Sequence, residues 1–452
     1  MSPHNVLIVM HGAGSGGVEK ALGILCKFLD SSHFRVVVAL PAPGPLKSHL
    51  DAIGIPTIVT PLDSWTPIKF HYGERHLYHF LSSLNDRVAA LVKIIEEHQI
   101  DLVHSATLSV ADGAFAARVA GVPHLWHIHG KSVGTTDDYG SYLPIDTIYL
   151  LVRDLSDQVV PVSHDVARFL QRFLPGEGFP VIYNGIDLAE LDRVAVAAQS
   201  PSVREEFGLQ ERKLVLLVGR VTAVKGIDVY LEAARQVLAT RSDTAFLVVG
   251  RDEDADLAKR LKDQVQAWGL GGQIVFVGQR ADVPRLLAQA DLYVCSSRSE
   301  GFPYGILEAM AAALPVISTR CGGPEEMVVD GETGFLTAVD DSADIAVRLS
   351  TLLDNQALAR QMGEKGRERV EREFSASVYA RHFETLYQEI SARPHDKPVS
   401  PWGGVLLELT ATVGRLGERT RHLEKEVRDL RGFEALFKDN FIYRGVKRVL
   451  RR

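Results

Sequence analysis

The sequence predicts an α/β protein in which a doubly wound arrangement occurs twice, and three observations predict it. Short runs rich in Val, Ile and Leu alternate with amphipathic stretches of helical period. The alternation pauses after residue 187 and restarts at residue 214. A glycine-bearing turn follows the first apolar run of each half. Continuous aliphatic runs suit parallel strands covered on both faces. Helix-sized segments between such strands build open parallel sheets with helices on either side.

In order, the strand runs of the first half are residues 6–10, 36–40, 102–104, 125–128, 159–162 and 181–183, with helical stretches at 18–30, 75–98 and 145–157. Those of the second half are 214–218, 246–249, 274–277, 292–295 and 316–318. Two Rossmann-like domains, 1–187 and 188–375, then face a cleft at the carboxyl ends of their strands, where such sheets bind ligands. The joint falls between residues 183 and 212. Residues 376–392 form a helix that returns to the first domain. A link with Pro394, Pro398 and Pro401 leads into a different kind of sequence, within an appendage at 393–452.

A chain of 452 residues suits two domains and an appendage. Hydrophobic content of 46% and charged content of 24% are those of a folded soluble protein. A net charge of −7 argues against nucleic acid as a partner, since phosphate backbones demand a basic surface. Cys26, Cys295 and Cys321 stand far apart and fit neither a disulfide framework nor a zinc site, so a reducing cytoplasm is the expected home. No apolar run reaches the roughly 18 residues of a membrane span. The run 6–10 is too short for a signal peptide and lacks a basic start.

Three segments carry chemistry. The first, HGAGSGGVEKAL (residues 11–22), follows the first strand. Gly12, Gly14, Gly16 and Gly17 let backbone N–H groups approach an anionic or sugar ligand, and the helix start adds positive potential. The spacing departs from the dinucleotide fingerprint, and the second strand ends in Ala39-Leu40-Pro41 with no acid for a ribose, which argues against a nicotinamide cofactor. A tight turn without a ligand is the plainer alternative. The second, GRVTAVKG (219–226), offers Arg220 and Lys225 at a strand end, where two cations neutralise a leaving diphosphate in place of a metal. Two solvated surface charges are the alternative.

The third, SEGFPYGILEAMAAALPVI (299–317), holds Glu300 and Glu308. Gly301, Pro303 and Gly305 make a loop that turns into a helix near Tyr304, whose free N–H groups suit a phosphate. Glu308 lies about one turn inside that helix, placed for ribose hydroxyls. Glu300 stays in the loop, nearer the reacting sugar. CGGPEEMVVDGETGFL (321–336) adds a second glycine turn before a short helix. His127 and His129 are read as alternating across their strand, so that one alone enters the cleft. With no carboxylate or third histidine nearby, no metal site is expected from the pair.

Together these segments resemble the family-four retaining glycosyltransferases, which have the two-domain GT-B fold. The likeness spans about residues 5–392 and rests on GGVE, YNGID at 183–187, GR…KG, the paired glutamates of EGFPYGILE, GGPEE and DGETGFL. The resemblance implies that Arg220 and Lys225 bind the diphosphate of a nucleotide-sugar (NDP-sugar) donor and that Glu308 binds its ribose. Glu300 would contact the transferred sugar, with the backbone of Gly301 and Phe302 near the phosphates and His129 in the cleft. The implied catalytic set is Glu300, His129, Arg220 and Lys225, with Gly14, Gly16 and Gly17 as the glycine loop and no cofactor or metal. Where the family often shows a glycine pair after the strand 246–249, Gly250 is followed by Arg251, Asp252 and Glu253, beside the donor base. Residues 131–142, on the acceptor side, carry no assignable pattern.

In the appendage, Leu406, Leu409, Val413, Leu416, Thr420, Leu423, Val427 and Leu430 recur at alternating three and four. β-Branched a positions with leucine at d favour a parallel two-stranded coiled coil, and Arg419–Glu424 and Glu426–Arg431 pairs agree. A homodimer through 405–431 is expected, or a single helix folded on its own chain. Residues 433–452 join Lys438, Arg444, Lys447, Arg448, Arg451 and Arg452 to an apolar face of Ile442, Val446, Val449 and Leu450. That end suits an anionic membrane surface, and equally a solvated tail. The expected function is transfer of a sugar from an NDP-sugar to a glycan or lipid-linked acceptor in bacterial surface polysaccharide or glycolipid synthesis. A sugar-nucleotide epimerase on the same fold and a non-catalytic coiled-coil scaffold remain open as alternatives.

Overall fold

The computed structural model describes residues 3–65, 74–131, 145–197 and 202–393. The first sheet contains β1 (His4–Val9), β2 (Phe34–Leu40), β3 (Thr57–Val59), β4 (Leu102–Ser105), β5 (His124–Ile128) and β6 (Gln158–Pro161). The second contains β7 (Lys213–Val218), β8 (Thr244–Val249), β9 (Ile274–Gly278), β10 (Leu292–Cys295), β11 (Val316–Thr319) and β12 (Gly334–Thr337). Their orders, β3-β2-β1-β4-β5-β6 and β12-β11-β10-β7-β8-β9, are the same order read from opposite edges. Every strand pair is parallel. The order in which strands are added reverses between β1 and β4 and again between β7 and β10, and the crevices beyond those strand ends receive ligands in such sheets.

Two expectations need correction. Residues 181–183 form no strand: Ile182 donates one backbone bond to the Pro161 carbonyl, and the chain then leaves the sheet. Their apolarity serves the joint, where Ile182 and Ile186 are buried and Ile186 exchanges backbone bonds with Phe374 and Ala376. Two strands went unread, β3 and β12. Both are edge strands, of three and four residues.

The helix Ala376–Ser391 lies against the helix Gly17–Phe28 and places Phe383 and Tyr387 beside His104 of β4. Among the described residues, no helix is long and apolar enough to cross a membrane. The expected coiled coil at 405–431, the basic end at 433–452 and nearly all of the acceptor-side stretch 131–142 lie outside the described residues.

One ion pair is buried in the first half. Arg87 of the helix Glu74–Glu97 gives Nε to Asp112 Oδ2 at 2.8 Å and Nη2 to Oδ1 at 3.2 Å, with both side chains shut away from water. Removing the guanidinium strands a buried carboxylate. Arg87→Met is therefore expected to destabilise the fold by about 3–5 kcal/mol, read as a lower urea midpoint at unchanged slope. A variant as stable as the parent would show that Asp112 is not charged in the folded chain.

Candidate active site

The segments singled out in sequence meet where the two sheets face each other. β1 delivers the glycine loop, β5 delivers His129, β7 delivers Arg220, and β10 delivers Ser297 to Gly301. After β10 the helix Tyr304–Ala311 begins at the expected residue, with Pro303 as its N-cap and no side chain capping it. The first N–H groups of such a helix have no intrahelical partner. Glu308 is the fifth residue of this helix and is buried.

Both carboxylates have ammonium partners. Glu300 Oε1 accepts from Lys225 Nζ at 2.5 Å and from Ser297 Oγ at 2.8 Å. Burial works against the charge on Lys225, but the carboxylate of Glu300 overrides it and holds the lysine above its ordinary pKa. Glu308 Oε1 accepts from Lys20 Nζ at 2.5 Å, so a cation of the first half neutralises an acid of the second. Arg220 is placed differently. Its side chain is 49% exposed and reaches Glu253 Oε1 at 3.4 Å.

The glycine loop closes on the chain's own carboxylate. A Cβ at Gly16 would lie 2.7 Å from Glu19 Oε2, and Glu19 Oε1 stands 3.9 Å from His11 Nε2. An acid in the first turn is favoured there by the helix dipole.

His129 and His127 do not face opposite sides. Residues two apart on a strand share a face, and these two rings lie 3.9 Å apart between centroids. His104 is 5.6 Å from His127 and takes a 2.7 Å hydrogen bond at Nδ1 with the Tyr387 hydroxyl. Burial lowers the pKa of His104, His124 and His129 to about 3, with His129 and His124 depressing His104 further and His11 depressing His129. His127 is lowered well below the ordinary value by the same burial and by His129 and His104. The His129 ring is therefore a neutral imidazole at neutral pH.

The same burial makes the fold acid-sensitive. Below pH 6.5 the unfolded chain binds protons that the folded chain refuses, so stability falls with falling pH from there to about 3. Each such histidine contributes a slope of about 1.4 kcal/mol per pH unit within that window. Urea midpoints between pH 7 and 5 should drop accordingly, and a flat profile would show these rings protonated in the fold.

The loop and the joint interlock. Phe302 is buried and stacks on Tyr183 at 5.0 Å, and its carbonyl accepts from Asn184 Nδ2 at 3.2 Å. The Tyr304 hydroxyl donates to the Gly185 carbonyl at 3.0 Å. A Cβ at Gly301 would sit 2.1 Å from the His129 carbonyl oxygen, so the donor-side loop and the β5 end touch through backbone alone.

Comparison with known proteins gives the family. The family described as Glycosyltransferase Family 4 matches residues 15–190, and Glycosyl transferases group 1 matches 199–369. N-acetyl-alpha-D-glucosaminyl L-malate synthase of Bacillus anthracis is 30% identical over 265 residues, which are 58% of this chain and 67% of that one. The chain belongs to the group 1, family-four glycosyltransferases. An Escherichia coli relative of this transferase, UDP-Gal:alpha-D-GlcNAc-diphosphoundecaprenol alpha-1,3-galactosyltransferase, is 24% identical over 355 residues, 76% of this chain and 86% of its own. The Anabaena HepE structure in complex with UDP-glucose shares the fold, with a TM-score of 0.69 and 24% identity, covering 85% of this chain and 99% of that one.

The structure thus brings Glu300, Lys225, Glu308, Gly301 and Phe302 of the transferase to one edge, with His129 against it, and leaves Arg220 at the rim. Reading the sequence missed Lys20, Glu19 and Asn184. Glu19 and Lys20 sit inside the GGVEK run already singled out, and Asn184 inside YNGID. Glu253, in the stretch that departs from the family pattern, is what holds Arg220.

Proposed function

We propose that this transferase moves a sugar from an NDP-sugar to a glycan or lipid-linked acceptor with retention of anomeric configuration and without a metal ion. The observation that carries the reading is the pair of carboxylate–lysine contacts, Glu300–Lys225 and Glu308–Lys20, at the carboxyl edge where the sheets face. A bound ribose would take Glu308 from Lys20. A diphosphate would take Lys225 from Glu300 and release that carboxylate to hydroxyls of the transferred sugar. As the diphosphate leaves, Lys225, Arg220 and the N-terminus of the helix Tyr304–Ala311 offset its growing charge. The N–H groups at Gly301 and Phe302 lie along the phosphate path. His129, neutral, orients the sugar, the acceptor hydroxyl attacks from the face the diphosphate leaves, and the departing phosphate takes the proton. Gly14, Gly16 and Gly17 let the first half approach the ligand closely.

HepE holds UDP-glucose on a similar fold, and the Escherichia coli relative is named for a lipid diphosphate acceptor. Both support an NDP-sugar donor, and the second supports synthesis of surface polysaccharide or glycolipid. Cytoplasmic placement at the inner membrane face through 433–452, and a homodimer through 405–431, complete the reading. Its test is a panel of UDP-, GDP- and ADP-sugars, scored for nucleotide diphosphate release with and without glycan and lipid-linked acceptors. Turnover of one donor is expected, and failure of every donor to bind or turn over overturns it.

A further inference from the structure

Glu326 belongs to the GGPEE segment and takes no part in the chemistry proposed above. It lies in the short helix Pro324–Met327 of the second half, and its carboxylate is engaged by the first. Oε1 accepts from the backbone N–H of Asp165 at 2.7 Å, and Oε2 from that of His164 at 2.8 Å. His164 and Asp165 open the helix His164–Gln171, which follows β6. The N-cap hydroxyl of that helix, Ser163 Oγ, takes the third N–H, from Val166, at 3.2 Å. The first-turn donors are thereby satisfied, two of them by a carboxylate from the opposite half, held as an anion is held at a helix N-terminus. Lys131 and Arg168 meet the carboxylate of Asp165 at 2.6 and 3.6 Å, which leaves the N-terminus itself to Glu326.

A third donor ties this contact to the joint. The Tyr183 hydroxyl donates to Glu326 Oε2 at 3.0 Å, while the ring of Tyr183 lies against Phe302 of the donor-side loop. Phe374 packs edge-on against both rings, and Arg369 lies over Phe374 while donating to the Glu326 carbonyl at 3.1 Å. One carboxylate therefore joins the end of β6, the joint and the loop that carries Glu300.

We infer that Glu326 is a positioning residue that sets the closed angle between the two halves through the N-terminus of the helix His164–Gln171 and the Tyr183 hydroxyl. Charge-assisted bonds to backbone N–H groups are directional, and both halves are rigid sheets. Losing these bonds frees the halves to swing about the joint while the Lys225–Glu300 pair, which lies within the second half, and both cores stay intact.

The test has two arms, and only the second rests on the proposed function. Spin labels on cysteines introduced at Val119 and Val347, exposed positions on opposite halves, report the interhalf distance; the three native cysteines are buried. The parent chain is expected to give one narrow distance and Glu326→Ala a longer, broader distribution. Glu326→Gln, which keeps one oxygen acceptor, and Tyr183→Phe, which removes one donor, are expected between them. A Glu326→Ala distribution identical to the parent's overturns the inference whatever the enzyme does. In the second arm, UDP binding should be unchanged in Glu326→Gln. Transfer kcat with the donor that turns over should fall roughly 10- to 100-fold, because displacements of about 1 Å cost that much. The ratio of donor hydrolysis to transfer should rise. A rise in KM with kcat intact would overturn the positioning role, and loss of thermal stability alone would reduce Glu326 to a structural contact.

Discussion

Alanine at Lys225 is expected to lower kcat by about 10²–10³-fold, the loss found when a preorganised donor to developing charge is removed. Lys225 is well placed for such an effect because its ammonium sits inside the cleft, fixed by a 2.5 Å contact to Glu300. Arg220→Ala should cost only about tenfold, since a half-exposed guanidinium engaged with Glu253 is screened by water and salt. Steady-state kinetics separate this from a binding effect. A transition-state role lowers kcat and kcat/KM together, whereas uniform binding raises KM alone. Stability must be read beside rate, because losing Lys225 leaves Glu300 with Ser297 Oγ as its remaining side-chain donor. In the double variant Lys225→Ala/Glu300→Gln the melting temperature should recover while the rate does not. Parental kcat in Lys225→Ala would remove the lysine from the mechanism.

What was legible in the sequence follows from the range of each interaction. Aliphatic runs and the glycine turns after them are local, so the parallel sheets and the start of the helix at Tyr304 were readable. The partners of the acids were not. Glu300 meets a lysine 75 positions earlier, and Glu308 meets one 288 positions earlier, so no spacing rule connects them. Arg220 and Lys225 looked equivalent in GRVTAVKG because nothing in that segment shows Glu253 folding back on one of them. The run 181–183 misled for the opposite reason: a chain crossing between two cores is as apolar as a strand but lacks a strand's neighbours. His127 and His129 were misplaced by a geometric slip, since positions i and i+2 share a face.

Gly301→Ala is expected to cut transfer roughly a hundredfold, the loss that goes with about 1 Å of misplacement, while leaving the fold in place. Gly301 has no positive φ, so alanine adds no backbone strain. What it adds is a methyl group 2.1 Å from the His129 carbonyl oxygen and 3.2 Å from the Gly130 Cα. Neither neighbour is the end of a flexible side chain, and the two backbones belong to opposite halves. Relief comes from the loop moving off β5, or from the halves parting, and both carry Glu300 away from His129. On the proposed reading the Gly301 N–H lies along the phosphate path, so UDP titration should show some loss of affinity, smaller than the loss of transfer. Parental transfer in Gly301→Ala would mean that turnover occurs with the halves farther apart than they lie here, and the contact between the loop and the β5 end would then belong to the resting enzyme alone.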